Sequence, residues 1–342
     1  MDVLQPGRGP IRAAAYLSAD PERVFWGELP CEADEPVLTI DSGTEVTIDT
    51  ISHEGILEDQ GRDPLAFFAA HGADEVLEDA IALAASGRER AAGPHVVTGP
   101  IAVRGAKPGD VLTMTLIEAL PRVPYGVISN RHGRGALPDE YPAHGQTVSI
   151  FAGVDGDHGT IARVAGGSRD VRFPLAPFLG TMGVAVAGDI RPNSVPPGLH
   201  GGNIDINLLT AGASLHLPVQ VDGALAYVGD PHFAQGDGEV ALTAMEASLR
   251  VTVRFDLVPG GMEVEGPLGE TDEYLIPTGL DRDLDTAVQK AVRNAITLLR
   301  HRYGMDAEHA YAYLSAATDF DISQVVDQVK GVHARIRKAD FA

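Results

Sequence analysis

The segment LHLPVQVDGALAYVGD (residues 215–230) carries the clearest indication of the fold. Apolar residues occupy every second position from Leu215 to Val221, and a period of two is typical of a strand with one buried face. Asp222-Gly223 favours a tight turn, and a second apolar run, ALAYV, follows it directly. The segment therefore predicts a β-hairpin.

The same alternation recurs on both sides of this segment. It is present in TEVTIDTI (44–51), VLTMTLIEAL (111–120) and LRVTVRFDL (249–257), where Arg250 and Arg254 are expected to face water. Glycine and proline interrupt these runs every 10 to 15 residues or so, which is typical of a sandwich or barrel. Residues 1–278 are thus predicted to form a β-rich catalytic region, either one unit or two intertwined β subdomains.

Helical patterns are fewer and gather near the end of the chain. Short helices are expected from Asp63-Pro64 to Phe68 and over 74–85. After a boundary near residue 278, an apolar stripe runs from Leu284 to Leu299, and Gly304 ends it. Further helices are expected over 306–315 and 322–336. The predicted class is mainly β with α (α+β): β-sandwich or barrel-like sheets and a helical C-terminal segment, 279–342.

Composition excludes several classes of function. The 342 residues include 48 acids and 26 bases, a formal charge of −22, which disfavours nucleic acid and anionic membrane partners. The sequence contains no run of 18 apolar residues, so no membrane span is predicted. The first ten residues do not resemble a signal peptide. The single cysteine, Cys31, favours a reducing cytoplasm. Its acidic neighbours make it a weak nucleophile, and no serine-hydrolase elbow or phosphate loop is present.

The densest polar cluster is GDPHFAQGDGE (229–239), which follows the apolar strand directly. Loops held by strands are where functional sites concentrate. A solvated acidic turn or a calcium-binding turn is the alternative. The candidate residues in this cluster are Asp230, His232, Gln235, Asp237 and Glu239.

Three further segments contribute candidates. In HGGNIDIN (200–207), Asn203 and Asp205 lie on one side of an extended chain, with a capped turn as the alternative. His53 follows a predicted strand, but the H-E-x-x-H zinc motif is not completed there. His95 precedes the run VVTGP. A lone histidine beside apolar residues is more often structural than a ligand, and this alternative stays open for both histidines.

Together these motifs resemble those of the acetamidase/formamidase family. Similarity extends over most of the chain from about residue 40, and the GGN-x-D and GD-x-H-x-x-QGDGE elements carry it in this order. The segments that resemble the family are HVVTGPIAVRGAKPGDVL (95–112), FLGTMGVA (178–185), GGNIDINLL (202–209), LPVQVDGALAYVGDPHFAQGDGEV (217–240) and DISQVVDQVKGVH (321–333).

The resemblance implies hydrolysis of a small linear amide, of the formamide or acetamide type, to a carboxylate and ammonia. It also implies a divalent metal, Zn²⁺ with Ca²⁺ as the alternative, because activating water directly requires a Lewis acid where no nucleophile is found. We expect Asp205, Asp237, His95 and His53 as ligands. The catalytic set is Glu239 as general base, Asn203 and Gln235 as oxyanion donors, and His232.

Two other functions remain open at this point. The chain could be a non-catalytic β-sandwich that binds a metal or ligand, or a hydrolase of cyclic or larger amides. The loop SNRHGRGALPDEYP (129–142), which departs from the commonest family pattern, is expected to influence substrate choice. A homodimer or larger homo-oligomer is the expected assembly.

Overall fold

The computed structural model describes residues 2–165, 167 and 170–341. Strands are the predominant regular structure, and they are short or medium in length. In chain order the strands are β1 (Ala15–Leu17), β2 (Val24–Trp26), β3 (Leu38–Ile40), β4 (Thr44–Asp49), β5 (Val96–Val103), β6 (Val111–Pro121), β7 (Tyr125–Arg131), β8 (Thr147–Asp155), β9 (His158–Ala162), β10 (Asp170–Pro174), β11 (Phe178–Gly183), β12 (Gly201–Asn203), β13 (Ser214–Pro218), β14 (Ala226–Ala234), β15 (Met245–Glu246), β16 (Leu249–Val258), β17 (Leu268–Glu270), β18 (Tyr274–Asp281), β19 (Asp319–Gln324) and β20 (Lys330–Arg337).

The strands form two large sheets. The first has the order β1-β4-β16-β6-β13-β17-β18-β20-β19. The second has the order β10-β9-β8-β7-β15-β14-β11-β12, and β5 joins it beside β14, with β2 and β3 on β5. One apolar core contains side chains from both sheets, such as Ile48 and Phe255 from the first and Met182 and Val228 from the second. The mainly β class is confirmed.

The helices are α1 (Pro64–Ala69), α2 (Glu78–Ala85), α3 (Leu284–Tyr303) and α4 (Ala307–Ala317). The side chain of Asp63 accepts a hydrogen bond from the Ala66 amide at 3.0 Å, as expected for an N-cap residue. Gly304 ends α3 with φ = 66°. The helix packs on β18 and β20, where a Cβ on Gly279 would collide with the Ala287 carbonyl. None of the described helices combines the length and the apolar character needed to cross a membrane.

Two expectations about secondary structure are wrong. Residues 322–336 are not a helix: they end β19, turn, and form most of β20, which pairs with β18. The helical spacing of valines hid an alternation of Val332, Ala334 and Ile336, which are all buried. Pairing with β18 favours the strand over the helix in this segment.

The predicted hairpin is also wrong, although both of its strands exist. β13 pairs with β6 and β17 in the first sheet, whereas β14 belongs to the second sheet. The turn therefore passes the chain from one sheet to the other, with Ala224 and Leu225 both at positive φ. Arg250 on β16 is likewise buried rather than facing water, because it pairs with Asp49 on β4.

Candidate functional site

Several chain segments bring their polar side chains to one buried place. β14 supplies Asp230 and His232, which point to the same side because they are two residues apart on a strand. His53 follows β4, His95 immediately precedes β5, and Glu246 ends β15, directly opposite His232. We call the resulting group the His–carboxylate cluster. It consists of His53, His95, Asp205, Asp230, His232, Glu239, Glu246 and Asp327, all buried.

Asp230 lies at the centre of the cluster. One of its carboxylate oxygens, Oδ1, is 3.5 Å from His53 Nδ1, and the other, Oδ2, is 3.9 Å from His95 Nε2. Oδ2 is also 3.3 Å from His232 Nε2, which in turn lies 3.1 Å from Glu246 Oε1. Asp230 thus faces three imidazoles at once.

A second group of carboxyls lies on the other side of His232. His232 Nδ1 is 3.9 Å from Asp205 Oδ1, and ligand atoms of Asp205, His232 and Glu239 all lie within 4.8 Å of one another. Two other such triads are His53, His95 and Asp230, and Asp230, His232 and Glu246. The cluster is therefore continuous, with His232 and Asp230 shared between groups.

The backbone around the cluster is specialised for close approach. Asp205, Asp230 and Glu239 all have positive φ, between 46° and 51°, a conformation that costs non-glycine residues free energy and that concentrates at functional sites. Gly180 on β11 lies directly beneath them. A Cβ there would lie 2.5 Å from Asp205 Oδ1 and 2.6 Å from His232 Cε1, so this position requires glycine.

Hydrogen bonds determine which nitrogen of two imidazoles can bind a ligand. His95 Nδ1 is 3.0 Å from the Ser194 carbonyl oxygen, which can only accept, so Nδ1 carries the proton. Gln235 donates through Nε2 to the carbonyls of Asp205 and Ser323, so its Oε1 faces His232 Nδ1 and accepts from it at 3.1 Å. In both histidines Nε2 is left with a lone pair directed at Asp230.

Several buried atoms of the cluster have no hydrogen-bond partner among the described residues. They include His53 Nδ1, His232 Nε2, Asp230 Oδ1, Glu246 Oε2 and both carboxylate oxygens of Asp205. Unpaired buried polar atoms are costly, and native proteins rarely keep several together without a ligand or ion. The donor set therefore fits a bound divalent cation.

The pKa directions support the same interpretation. Burial and the neighbouring Asp205 raise the pKa of Glu239 well above its usual range, and burial and Asp327 do the same for the pKa of Asp205. Burial opposes the charged form of His53, but Asp230 and Glu54 outweigh it and raise the pKa of His53 to about 10. Burial lowers the pKa of His95 to about 4. The cluster as a whole attracts positive charge, which a metal ion would provide.

A cavity of about 340 Å³ opens onto the cluster. Six cluster side chains line it, namely His53, His95, Asp230, Glu239, Glu246 and Asp327, and Asn203 lies beside them in the lining. Thr181 Oγ1 donates to Asn203 Oδ1 at 2.9 Å, so the amide nitrogen of Asn203 remains available as a donor. The lining also contains apolar side chains and, at its outer part, Arg90, Arg131 and Arg134.

The structure gathers most of the residues selected from the sequence. His53, His95, Asn203, Asp205, His232 and Glu239 all belong to the cluster or its cavity. Asp237 lies apart: it is exposed and accepts a hydrogen bond from Asn207 Nδ2 at 3.1 Å. Gln235 supports His232 and has both amide hydrogens engaged by backbone carbonyls, so it has none left for an oxyanion.

Sequence reasoning missed other members of the site. Asp230 was a candidate but was included neither among the ligands nor in the catalytic set, although its spacing from His232 places both on one face of β14. Glu246 and Asp327 were not selected, since no local motif marks them. Cys31 is buried and is not part of the cavity lining, and burial raises the pKa of its thiol.

Fold and site together define a class: a two-sheet β protein with a buried His–carboxylate centre at the base of a small cavity. The matched family model is the Acetamidase/Formamidase family, which covers residues 88–194 and 186–334. The chain therefore belongs to the acetamidase/formamidase family, and the resemblance seen in the sequence is confirmed.

Individual relatives agree with this assignment. The chain is 30% identical to an acetamidase of Mycolicibacterium smegmatis, over 65% of this chain and 73% of that protein. It is 28% identical to a formamidase of Methylophilus methylotrophus, over 68% and 73% of the two chains. The crystal structure of an acetamidase from Bacillus halodurans superposes with a TM-score of 0.76 at 27% identity, covering 95% of this chain and 98% of that one.

Proposed function

We propose that the protein hydrolyses a small linear amide to a carboxylate and ammonia, with a divalent metal in the His–carboxylate cluster. Family membership confirms the expectation of a hydrolase acting on non-peptide C–N bonds. The observation that carries the metal-assisted mechanism is the set of buried, unpartnered ligand atoms that meets a cavity.

Zn²⁺ fits the donor set better than Ca²⁺. His53, His95 and Asp230 form a compact group of nitrogen and oxygen donors, and Zn²⁺ favours such mixed sites with three or four protein ligands. Ca²⁺ binds six to eight oxygen atoms and rarely accepts imidazole. His232 and Glu246 offer a second set that also includes Asp230. A metal held here would supply Lewis-acid chemistry, polarising the amide carbonyl and acidifying water.

The chain's own residues supply proton transfer and charge stabilisation. Glu239 lines the cavity, where its carboxylate can accept a proton from water and pass it to the departing amine. The free amide hydrogens of Asn203 are available to a developing oxyanion. Gln235 orients His232. This role replaces the role of oxyanion donor that was first expected of Gln235.

The test combines metal analysis with an ammonia assay. Elemental analysis should find zinc bound to the purified chain, and ammonia release from formamide and acetamide should stop with a chelator and return with Zn²⁺. Asp230→Asn should lose both metal and activity. Asp237→Asn is the matched control, because this carboxyl is exposed and lies outside the cluster.

Asp237 follows Asp230 by seven residues, is exposed, and belongs to none of the three ligand triads. Ammonia release that persists without any bound metal would contradict the metal-assisted mechanism. A chain that binds zinc but releases no ammonia from any amide would instead be a binding protein.

Assembly and location remain parts of the proposal. We expect a homodimer or larger homo-oligomer, which light scattering on the purified chain would test. We also propose a cytoplasmic location, since the single cysteine, Cys31, is buried and free.

A further inference from the structure

The cavity is larger than formamide or acetamide requires. A water molecule takes a share of roughly 30 Å³ in the liquid, so three or four non-hydrogen atoms need roughly 90 to 120 Å³. The cavity measures about 340 Å³. Leu57, Pro94 and Leu242 contribute apolar surface to its lining. An amide with a longer acyl chain would therefore fit.

Three arginines line the cavity, and two of them already have carboxylate partners. Arg90 pairs with Glu58 at 3.0 Å and also donates to the Gly93 carbonyl at 2.7 Å. Arg131 pairs with Asp59 at 2.6 Å and with Glu54 at 3.4 Å. The guanidinium of Arg134 makes no ion pair or hydrogen bond with any residue that the structure describes. It is the cavity cation that remains available for a ligand.

The loop that carries Arg134 is anchored next to Glu239. The Ala136 amide donates to the Val240 carbonyl at 2.9 Å, and Asn130 Nδ2 donates to the Ala241 carbonyl at 2.6 Å. Gly135 has φ = 73°, and a Cβ there would lie only 3.1 to 3.4 Å from these same groups. The position of the loop that carries Arg134 is therefore fixed by Val240 and Ala241, which directly follow Glu239.

We propose that the preferred substrate is a half-amide of a short dicarboxylic acid, whose free carboxylate binds Arg134 while its amide reaches the cluster. This inference rests on the proposed function. A chain of net charge −22 would repel the carboxylate of such a substrate unless a cation bound it. Arg134 is the cation that can bind this carboxylate. Succinamate has eight non-hydrogen atoms, roughly 240 Å³ on the same scale, and fits the cavity.

The experiment compares succinamate with 4-oxopentanamide, a neutral amide with the same number of non-hydrogen atoms. The wild-type chain should show the higher kcat/KM for succinamate, and high salt should reduce this preference. In Arg134→Gln the ratio of the two kcat/KM values should fall by about tenfold to a hundredfold, the usual worth of a charge-assisted hydrogen bond. Arg300→Gln, which changes an exposed arginine on α3, should keep the wild-type ratio.

The outcomes separate this inference from the proposed function. Hydrolysis of acetamide without a preference for succinamate overturns the role of Arg134 and leaves the amide hydrolase intact. An unchanged ratio in Arg134→Gln does the same. If the wild-type chain hydrolyses neither acetamide nor the two longer amides, the proposed function fails, and the substrate class fails with it.

Discussion

Two groups of buried charged side chains in this protein differ in how their charges balance. One is the His–carboxylate cluster. The other, which we call the arginine–aspartate network, contains Asp49, Asp79, Arg122 and Arg250, all buried. The network has two acids and two bases. The cluster has five carboxyls and three imidazoles, and the nearby Arg131 is paired with Glu54 and Asp59 instead.

In the arginine–aspartate network each carboxylate has an arginine partner. Arg250 donates to both carboxylate oxygens of Asp49, at 2.6 and 2.9 Å, and Arg122 lies 2.8 Å from Asp79 and 3.6 Å from Asp49. Arg250 also donates to the Gln5 carbonyl at 3.1 Å. The network therefore fastens the N-terminal segment to the first sheet and needs no ligand.

The comparison shows how burial alone can mislead. Both groups are buried, but they differ in their unpaired atoms: among the described residues the network leaves Asp79 Oδ2 and Arg122 Nη2 without a hydrogen-bond partner, whereas the cluster leaves seven atoms. Of the two groups, only the cluster has members at positive φ and a cavity. A buried charge that is paired is compatible with a purely structural role, whereas an unbalanced buried group requires something else to bind. The following variants test this distinction.

The largest expected effect is that of Glu239→Gln on catalysis. The glutamine side chain cannot take a proton from water, so turnover should fall by about a thousandfold or more. The unfolding transition should persist, because a buried carboxyl with a raised pKa is replaced by a neutral group. Kinetics on formamide and urea unfolding of the same sample measure both. Near-normal turnover would remove Glu239 from the proton-transfer role.

The next variant, Asp49→Asn, should act on stability. It leaves Arg122 and Arg250 without their shared carboxylate, and breaking a buried pair costs about 3–5 kcal/mol. Activity per folded molecule should remain, since Asp49 belongs to no ligand triad. Urea unfolding gives the free energy of unfolding, and active-site titration with zinc gives the folded fraction.

A matched control for Asp49→Asn is Asp41→Asn, which breaks the exposed Arg104–Asp41 pair at 2.8 Å. Exposed pairs contribute about 0–1 kcal/mol, so the two variants should differ clearly. A loss below 1 kcal/mol in Asp49→Asn would show that the network is not the structural counterpart of the cluster.

Local patterns were sufficient for much of the fold. The strands β4, β6 and β16, the N-cap of α1 and the end of α3 at Gly304 were predicted correctly, because each depends on neighbouring residues. The hairpin at Asp222-Gly223 was wrong because strand pairing is a tertiary property: the turn is present, but the two strands find partners in different sheets. The same holds for β20, whose helical spacing was overruled by its pairing with β18.

In the site, too, residues close in sequence were predicted and residues brought together only by strand pairing were missed. Residues that share a motif, such as Asn203 with Asp205 and His232 with Glu239, were found because sequence proximity places them together. Glu246 was missed because only the register of β15 against β14 brings it opposite His232. Asp327 reaches the cluster from the turn between β19 and β20, a segment that had been interpreted as helix.

The smallest expected effect is that of Gln235→Leu, which tests whether the cluster depends on an oriented imidazole. The variant removes the acceptor that keeps the proton on His232 Nδ1, so Nε2 is no longer reserved for a ligand. Outer hydrogen bonds of this kind change metal affinity by about 10- to 100-fold. Zinc affinity measured against a competing chelator should fall by that factor, whereas Gln289→Leu on the exposed face of α3 should leave it unchanged. Unaltered zinc affinity in Gln235→Leu would mean that Gln235 only braces its loop, and that the unpaired atoms around Asp230 suffice to define the metal site.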